Sequence, residues 1–332
     1  MPSSGAPPAV GPIDGPVNIL LVGSDSGSGN PAYGQRGENL NDVTILIHIS
    51  PVSHSATAVS FPRDMFVPIT GCQHSPGLRK INESLYNGGL ACAVSTVSAL
   101  TGLDIQYAGQ IEFDGVIQMS NVVGGVDVCV GESIHDLQIG FDLEAGTHTL
   151  QGWSALQFLR SRHGVHGGSD TSRISNQQLF LSALMRKIKS SEVLTNPVTM
   201  YGIAAAASSN MTLSESLNHL DTMYSMALAL KDIPLSNIVF TQYPTGSGTS
   251  GGMNGLLPRK GDAKVLMDAI AADQPVIVAG VGGGTIAGED VTETPAPGAT
   301  AAPTDNSGAV KLPGSITGQP ATEQTCTAGQ TF

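Results

Sequence analysis

Apolar positions along this chain switch between strand-like and helix-like spacing, and the switches mark out its elements. The run "VNILLVGSD", Val17 to Asp25, is apolar and β-branched and ends in a polar loop, as a buried strand does where it delivers side chains at its C-terminal end. After a Gly-rich loop, "DVTILIHIS" (Asp42 to Ser50) and "ATAVSFPRD" (Ala56 to Asp64) read as two further strands, and the short "PVSHS" between them suits a hairpin. Helical spacing runs from Asn82 to Leu100 and is interrupted at Gly88 and Gly89. "IQYAGQIEF" (Ile105 to Phe113) returns to a strand, and "DGVIQMSNVVGG" is a short helix with a glycine stop before the strand "VDVCV". Helices are then expected from Gly152 to Arg162, from Thr171 to Lys189, near Met200 and from Leu213 to Leu230. "NIVFTQYP" is a late strand and a final helix falls near Ala263 to Ala272. Interleaved in this way, the elements predict a layered α/β domain.

The pattern fades at both ends. Residues 1–16, "MPSSGAPPAVGPIDGP", lack a charged or apolar export signal and read as a linker stub. Beyond Gly280 the chain turns to Gly, Ala, Thr and Pro, so residues 281–332 are expected to form a flexible tail, leaving 17–280 as the folded domain. No stretch of 18 apolar residues occurs, so the chain as given reads as soluble.

Hydrophobic residues make up 40% of the 332 positions and charged residues only 13%, enough for a core with apolar surface to spare for a ligand. The formal charge of -12 argues against nucleic acid, whose phosphates demand many Lys and Arg contacts. The four cysteines show neither a CxxC pair nor metal-ligand spacing against the histidines, which argues against zinc. Cys72 and Cys92 either close a short disulfide, marking an oxidising compartment, or stay as buried thiols. Cys326 could staple the tail back to the domain, with Cys129 as one partner.

Charge is distributed unevenly. The chain has eight arginines, yet Arg160, Arg162 and Arg173 fall within fourteen residues that contain one acid, Asp170. Arg160 and Arg162 could simply complement the end of a helix. Arg173 resists that reading: with Asp170 as N-cap it would sit at N3, where the helix dipole disfavours a cation and a bound anion would offset the conflict. A helix N-terminus flanked by guanidinium forks is a phosphate cradle. Gln177, one turn beyond Arg173, either faces the same ligand or is a surface polar residue. Asp25 and Asp42, both at strand ends, could hold magnesium with water and substrate phosphates completing its shell, although two loop-proximal Asp are ordinary. Lys80 is a further candidate phosphate contact. His163 and His166 read as loop polar residues, and "GSDSGSGN" lacks the Lys-Ser/Thr pair of a nucleotide-binding P-loop.

Taken together and in order, "NILLVGSD", "NDVTILIHISP", "SFPRDMFVPI", "KINES", "FDGVIQMSNVVGGVDV", "LQFLRSRHG" and "SDTSRISNQQ" resemble the LytR-CpsA-Psr family over about Val17 to Lys189. The resemblance implies a layered α/β/α sandwich with a central mixed sheet and an apolar groove for a polyprenyl chain. It further implies a magnesium-dependent phosphotransferase, with manganese as a substitute ion. Such an enzyme moves a glycopolymer from a polyprenyl diphosphate carrier to peptidoglycan, outside the cytoplasm, on a protein anchored to the membrane by an N-terminal helix that this sequence lacks. By motif, the metal-binding and catalytic aspartates match Asp25 and Asp42, and the catalytic, phosphate-binding arginines match Arg63, Arg160, Arg162 and Arg173. Lys80 and Gln177 match further phosphate-binding positions, and Asp170 a supporting one. Leu40 and Asn176 stand where many members carry arginine, which points to altered specificity. Two other readings share much of this pattern: a polyprenyl-phosphate-binding or regulatory module without turnover, and an extracellular diphosphatase that uses water.

Overall fold

Three strands form the centre of the computed structural model: β1 (Val17–Ser24), β2 (Asn41–Ser50) and β3 (Ser55–Ser60). The structure describes residues 13–25, 39–72, 77–190, 194, 196–286 and 308–330. Most of the expected N-terminal stub and the Gly-rich loop after Asp25 therefore lie outside the described residues. β1, β2 and β3 pair antiparallel in series, with a register shift at Gly23/Ser24. Parallel strands extend the sheet on either side, Tyr107–Ile111 beside β1 and Ile238–Gln242 beside β3. Met211–Leu213 and Gly318–Pro320 complete its two edges, giving seven strands in a mixed sheet.

Among the described residues seven α-helices accompany the strands: α1 (Gly89–Thr101), α2 (Phe113–Val122), α3 (Trp153–Arg160), α4 (Asp170–Ser190), α5 (Pro197–Asn210), α6 (Leu220–Lys231) and α7 (Lys260–Ala271). Strand side chains alternate between faces, and the core divides accordingly. Leu20, Val22 and Leu46 pack with Ala93 and Val97 of α1 and with Leu266 and Ile270 of α7. Ile19, Ile45 and Ile49 pack with Met226 and Ala229 of α6 on the other face. This is the expected α/β/α sandwich.

Several elements differ from the sequence reading for local reasons. Helix α1 starts only at Gly89, because a short 3-10 turn and the two glycines occupy the first part of the Asn82–Leu100 stretch. The expected Leu213–Leu230 helix divides into an edge strand ending at Leu213 and α6. "VDVCV" is a strand, but it lies in a separate four-stranded sheet with Gly146–Leu150, Cys326–Thr327 and Thr285–Ile286.

Helix α4 lies between the two sheets and is therefore buried on nearly all sides. Every residue from Ser172 to Phe180 is buried. Leu179, Phe180 and Ala183 pack on the smaller sheet, while Leu181 and Met185 approach the core of the larger one. The burial includes polar side chains, among them Arg173, Asn176 and Gln177.

The tail expectation needs correction, because residues 308–330 are folded onto the domain. Gly318–Pro320 pairs with Ile238–Gln242, and Cys326–Thr327 runs parallel to Val126–Val130. Leu312, Ile316, Ala321 and Ala328 are buried. Glycine serves close contact here: a Cβ on Gly318 would lie 2.1 Å from the Phe240 carbonyl oxygen, and one on Gly284 2.2 Å from that of Ser172 in α4. Both cysteine pairs are bonded, Cys72 to Cys92 across 20 residues and Cys129 to Cys326 across 197. Loop-closure entropy grows with the logarithm of loop length, so the longer link should stabilise the fold by about 2 kcal/mol more than the shorter. Urea unfolding of the paired serine variants, Cys129→Ser with Cys326→Ser against Cys72→Ser with Cys92→Ser, should show that difference; equal losses would contradict it.

Candidate functional site

Asp42, Arg63, Asp170 and Arg173, all named from the sequence, converge where β2 begins and β3 has just ended. Arg63 lies in the turn after β3, and its Nη1 donates to Asp42 Oδ1 at 2.6 Å. Arg173, in the first turn of α4, donates from Nη2 to the Asp42 carbonyl at 2.9 Å and to Asp170 Oδ1 at 2.5 Å. The other Asp170 oxygen accepts the Arg63 backbone N–H at 3.2 Å. Asp170 is not the N-cap of α4, as expected from sequence. Ser169 takes that part by accepting the Ser172 N–H at its hydroxyl, 3.2 Å, which leaves the Asp170 carboxylate to hold two arginines.

Burial alone would weaken the Arg63 guanidinium as a cation, but Asp42, Asp170 and Asp64 outweigh it and raise its pKa above the ordinary arginine value. Arg63 and Arg173 each keep a buried Nε–H with no hydrogen-bond partner among the described residues. Unsatisfied donors on two paired guanidiniums are unusual inside a protein and suit an incoming anion. Lys80 does not line this cluster directly. Its Nζ donates to Asp64 Oδ1 at 2.7 Å, and Asp64 Oδ2 and Asp170 Oδ1 each lie 3.8 Å from Arg63 Nε.

Below the charges lies an apolar cavity of about 350 Å³. Helix α4 lines its whole length: Arg173 and Gln177 at one end, then Phe180, Leu181, Leu184 and Ile188. These positions recur every three to four residues, so they form one stripe, about 22 Å long at 1.5 Å per residue. Leu21 and Ile45 from the sheet and Val116 and Met119 from α2 face them. Asp42 and Arg160 join Arg173 at the polar end.

Gln177 is buried, contrary to the surface alternative, and its amide donates to the Leu159 carbonyl at 3.1 Å. Arg160 stacks its guanidinium over the Phe113 ring at 4.4 Å. Arg162 separates from Arg160, because α3 stops at Arg160 and the chain turns away; it does not line the cavity and instead meets His163 Nε2 at 3.2 Å. Asp25, at the end of β1, exchanges hydrogen bonds with the backbone of Leu40: its N–H to the Leu40 carbonyl and the Leu40 N–H to Asp25 Oδ1, both at 3.1 Å. Among the described residues no three His, Cys, Asp or Glu side chains converge on a metal position. An ion held by Asp25 and Asp42 alone would draw the rest of its shell from water and phosphate, a donor set that magnesium accepts and zinc does not.

Two supports of the site escaped the sequence reading. The first is Asp136, which is almost fully buried. Its Oδ2 accepts from the Ser161 hydroxyl at 3.0 Å and from the N–H groups of Arg162, His163 and Gly164 at 3.0, 3.0 and 3.3 Å. Burial alone would raise its pKa, but these donors, led by the Arg162 N–H, hold it below the usual carboxylate range. The second is the C-terminal strand. The His166 N–H donates to the Ala328 carbonyl, the Gln330 N–H donates to the Gly164 carbonyl, and the Thr327 hydroxyl donates to Asn176 Oδ1 at 2.7 Å. Asn176 thus ties α4 to the strand, and its Nδ2 is buried without a partner among the described residues. Asp136 carries no motif, and the strand lies outside every segment that resembled the family.

With the geometry established, comparison with known proteins settles the family. The pattern of the LytR_cpsA_psr family matches residues 7–269. The chain belongs to this family. It is 29% identical over 268 residues to the cell wall biosynthesis protein LcpA of Corynebacterium glutamicum, covering 70% of this chain and 51% of LcpA. Against the polyisoprenyl-teichoic acid–peptidoglycan teichoic acid transferase TagU of Enterococcus faecalis it is 29% identical over 214 residues, 64% of this chain and 65% of TagU. The chain spans about half the length of the Corynebacterium relative. Among solved structures, protein gbs0355 of Streptococcus agalactiae has the same fold with a TM-score of 0.65 and 24% identity, covering 78% of this chain and 88% of that one. TagT of Bacillus subtilis matches with a TM-score of 0.59 and 20% identity, covering 78% and 91%. No described helix is long and apolar enough to cross a membrane.

Two outcomes test the supports. Asp136→Ala removes an acceptor shared by five donors and should cost about 3 kcal/mol or more in denaturant unfolding. A carboxyl whose folded pKa lies below its unfolded value of about 3.9 stabilises above that pH and loses its contribution as pH falls toward the folded pKa. The parent should therefore lose stability across that acid window, and the variant should show a flatter acid limb. Thr327→Val strips Asn176 Oδ1 of its donor and should cost about 1–3 kcal/mol; a neutral result would show that the bond is not part of the support.

Proposed function

We propose that this chain is a magnesium-dependent phosphotransferase that moves a glycopolymer from a polyprenyl diphosphate carrier to peptidoglycan, on the outer face of the cell membrane. One observation carries the reading: a single apolar cavity ends in Asp42, Arg160, Arg173 and Gln177, the shape and polarity of an amphiphile with an anionic head. Apolar burial is worth about 0.8 kcal/mol per methylene, so a polyprenyl chain can be held firmly without a polar contact. The named activity of TagU and the structure of TagT bound to LI-WTA support the same class of donor and acceptor.

In this mechanism Arg160 and Arg173 grip the diphosphate at the mouth of the cavity, and Arg63 faces it from the turn after β3. The acceptor hydroxyl oxygen forms a bond to the phosphorus that carries the glycopolymer. The bridging P–O bond breaks, its electron pair leaves on polyprenyl phosphate, and the hydroxyl proton is released to water. The arginines neutralise the charge that builds on the equatorial and leaving oxygens, so catalysis rests on positioning and electrostatics. Magnesium held by Asp25 and Asp42 would supply Lewis-acid neutralisation at those oxygens. Asp170 fixes both Arg63 and Arg173 in place and touches no reacting atom.

The apolar cavity alone would serve a binding module equally well. Arg173 at its end, tied through Asp42 and Asp170 to Arg63 and keeping an Nε–H with no partner among the described residues, favours transfer over storage. Arg160→Ala should reduce cleavage of a polyprenyl diphosphate glycan at least about a hundredfold, with the circular dichroism spectrum unchanged and polyprenyl lipid still detected by mass spectrometry of the purified variant. Retained turnover would remove Arg160 from the mechanism, and absence of lipid from the parent protein would remove the donor assignment.

A further inference from the structure

A second cavity, of about 300 Å³, lies on the opposite side of the charged cluster from the apolar one. Sheet order sets this placement. The apolar cavity covers β1, β2 and the strand Tyr107–Ile111, whereas the second opens at Gln242, the last residue of the strand beyond β3. β3 runs between them, and the turn that follows it carries Arg63. Helix α4 is shared: Thr171 lines the second cavity and Arg173 lines the first. The walls are joined further by the Tyr243 N–H, which donates to the Ser60 carbonyl, by the Tyr243 ring on Phe61 at 5.0 Å, and by the Leu256 N–H, which donates to the Asp64 carbonyl.

The chemistry of this cavity differs from that of the first. Thr171, Gln242, Thr245, Ser247 and Thr317 supply hydroxyl and amide groups, Arg259 is its one charged side chain, and no carboxylate lines it. Among the described residues the side chains of Gln242, Thr245, Ser247 and Thr317 make no hydrogen bond to the protein. Arg259 spends its Nε on the Thr245 carbonyl at 3.0 Å and has no acidic partner among the described residues. Unengaged hydroxyl and amide groups around one cation match a ligand that is itself rich in hydroxyls and is neutral or anionic.

We infer that this polar cavity is a carbohydrate subsite that holds the acceptor glycan. The inference rests on the transferase reading above and adds a location for the second substrate. In-line displacement requires the attacking oxygen to enter opposite the leaving group. With polyprenyl phosphate leaving into the apolar cavity, the attacking hydroxyl comes from the far side of Asp42, Arg63 and Asp170, where the polar cavity lies. No protein residue forms or breaks a bond there. Gln242, Thr245, Ser247 and Arg259 bind and orient the sugar.

The test uses the full chain with a soluble disaccharide-peptide fragment of peptidoglycan as probe, and compares Ser247→Trp, which fills the exposed side of the cavity, with Arg259→Ala. Saturation-transfer NMR should show the probe on the parent protein. Both variants should weaken it and raise the acceptor KM by about tenfold, worth about 1.4 kcal/mol, with kcat, the donor KM and copurified polyprenyl lipid unchanged. A rise in the donor KM alone would overturn the acceptor assignment, because it places the donor's own glycan in the cavity. Unchanged probe binding in both variants would overturn the subsite altogether. Probe binding that is lost in the variants of a chain with no transfer activity would uphold the subsite while removing the transferase reading.

Discussion

A buried carboxylate and a buried guanidinium each cost several kcal/mol to remove from water, and each is tolerable only where the other stands. Asp170 and Arg173, with side chains 8% and 7% exposed, are such a pair within one helical turn. Asp170 also accepts from Arg63, and Arg173 also donates to Asp42. Removing either charge would strand the other, so the first turn of α4 is locked against the start of β2 and the turn after β3. Since α4 also supplies the stripe along the apolar cavity, the same ion pair that sets the charges sets the chamber beneath them. The charged cluster and the apolar cavity are therefore mechanically one object.

Much of this arrangement could be read from the sequence. The apolar run of β1 and the alternation in β2 and β3 gave the central strands, and the excess of arginine between Arg160 and Arg173 located the site. The conflict at Arg173 was informative in itself. A cation in the first turn of a helix signalled a compensating anion, and part of that compensation proved to be internal, from Asp170 and Asp42. Asp25 and Asp42 stood out at strand ends, but only the family motif supplied Arg63, which spacing alone could not join to the cluster. Arg162 shows the limit of such matching: two residues from Arg160, it follows the helix stop at Ser161 and faces a different way.

What stayed illegible shares a physical cause. Asp136 matters through four backbone groups and a hydroxyl that the fold brings to it, and backbone groups carry no signature in a sequence. The glycine-rich stretch after Gly280 looked unable to fold because it holds few large apolar residues. Its described residues need few, because they extend two sheets that already have their cores, Gly318–Pro320 at an edge of the larger and Cys326–Thr327 with Thr285–Ile286 beyond Val126–Val130 in the smaller, and Gly284 and Gly318 allow approaches that any side chain would block. Asn176, an apparent loss of a cation, turned out to be the contact that receives this strand.

The pairing of Cys326–Thr327 with Val126–Val130 also orders events in time. Every residue that lines the apolar cavity precedes position 212, whereas the strand that braces the Arg162 loop is supplied from 326–330. A chain that folds as it emerges from its N-terminus has every residue of the apolar cavity in hand first and closes the brace only across the 197 residues that separate Cys129 from Cys326. The setting of the Arg162 loop is thereby tied to delivery of the distal chain.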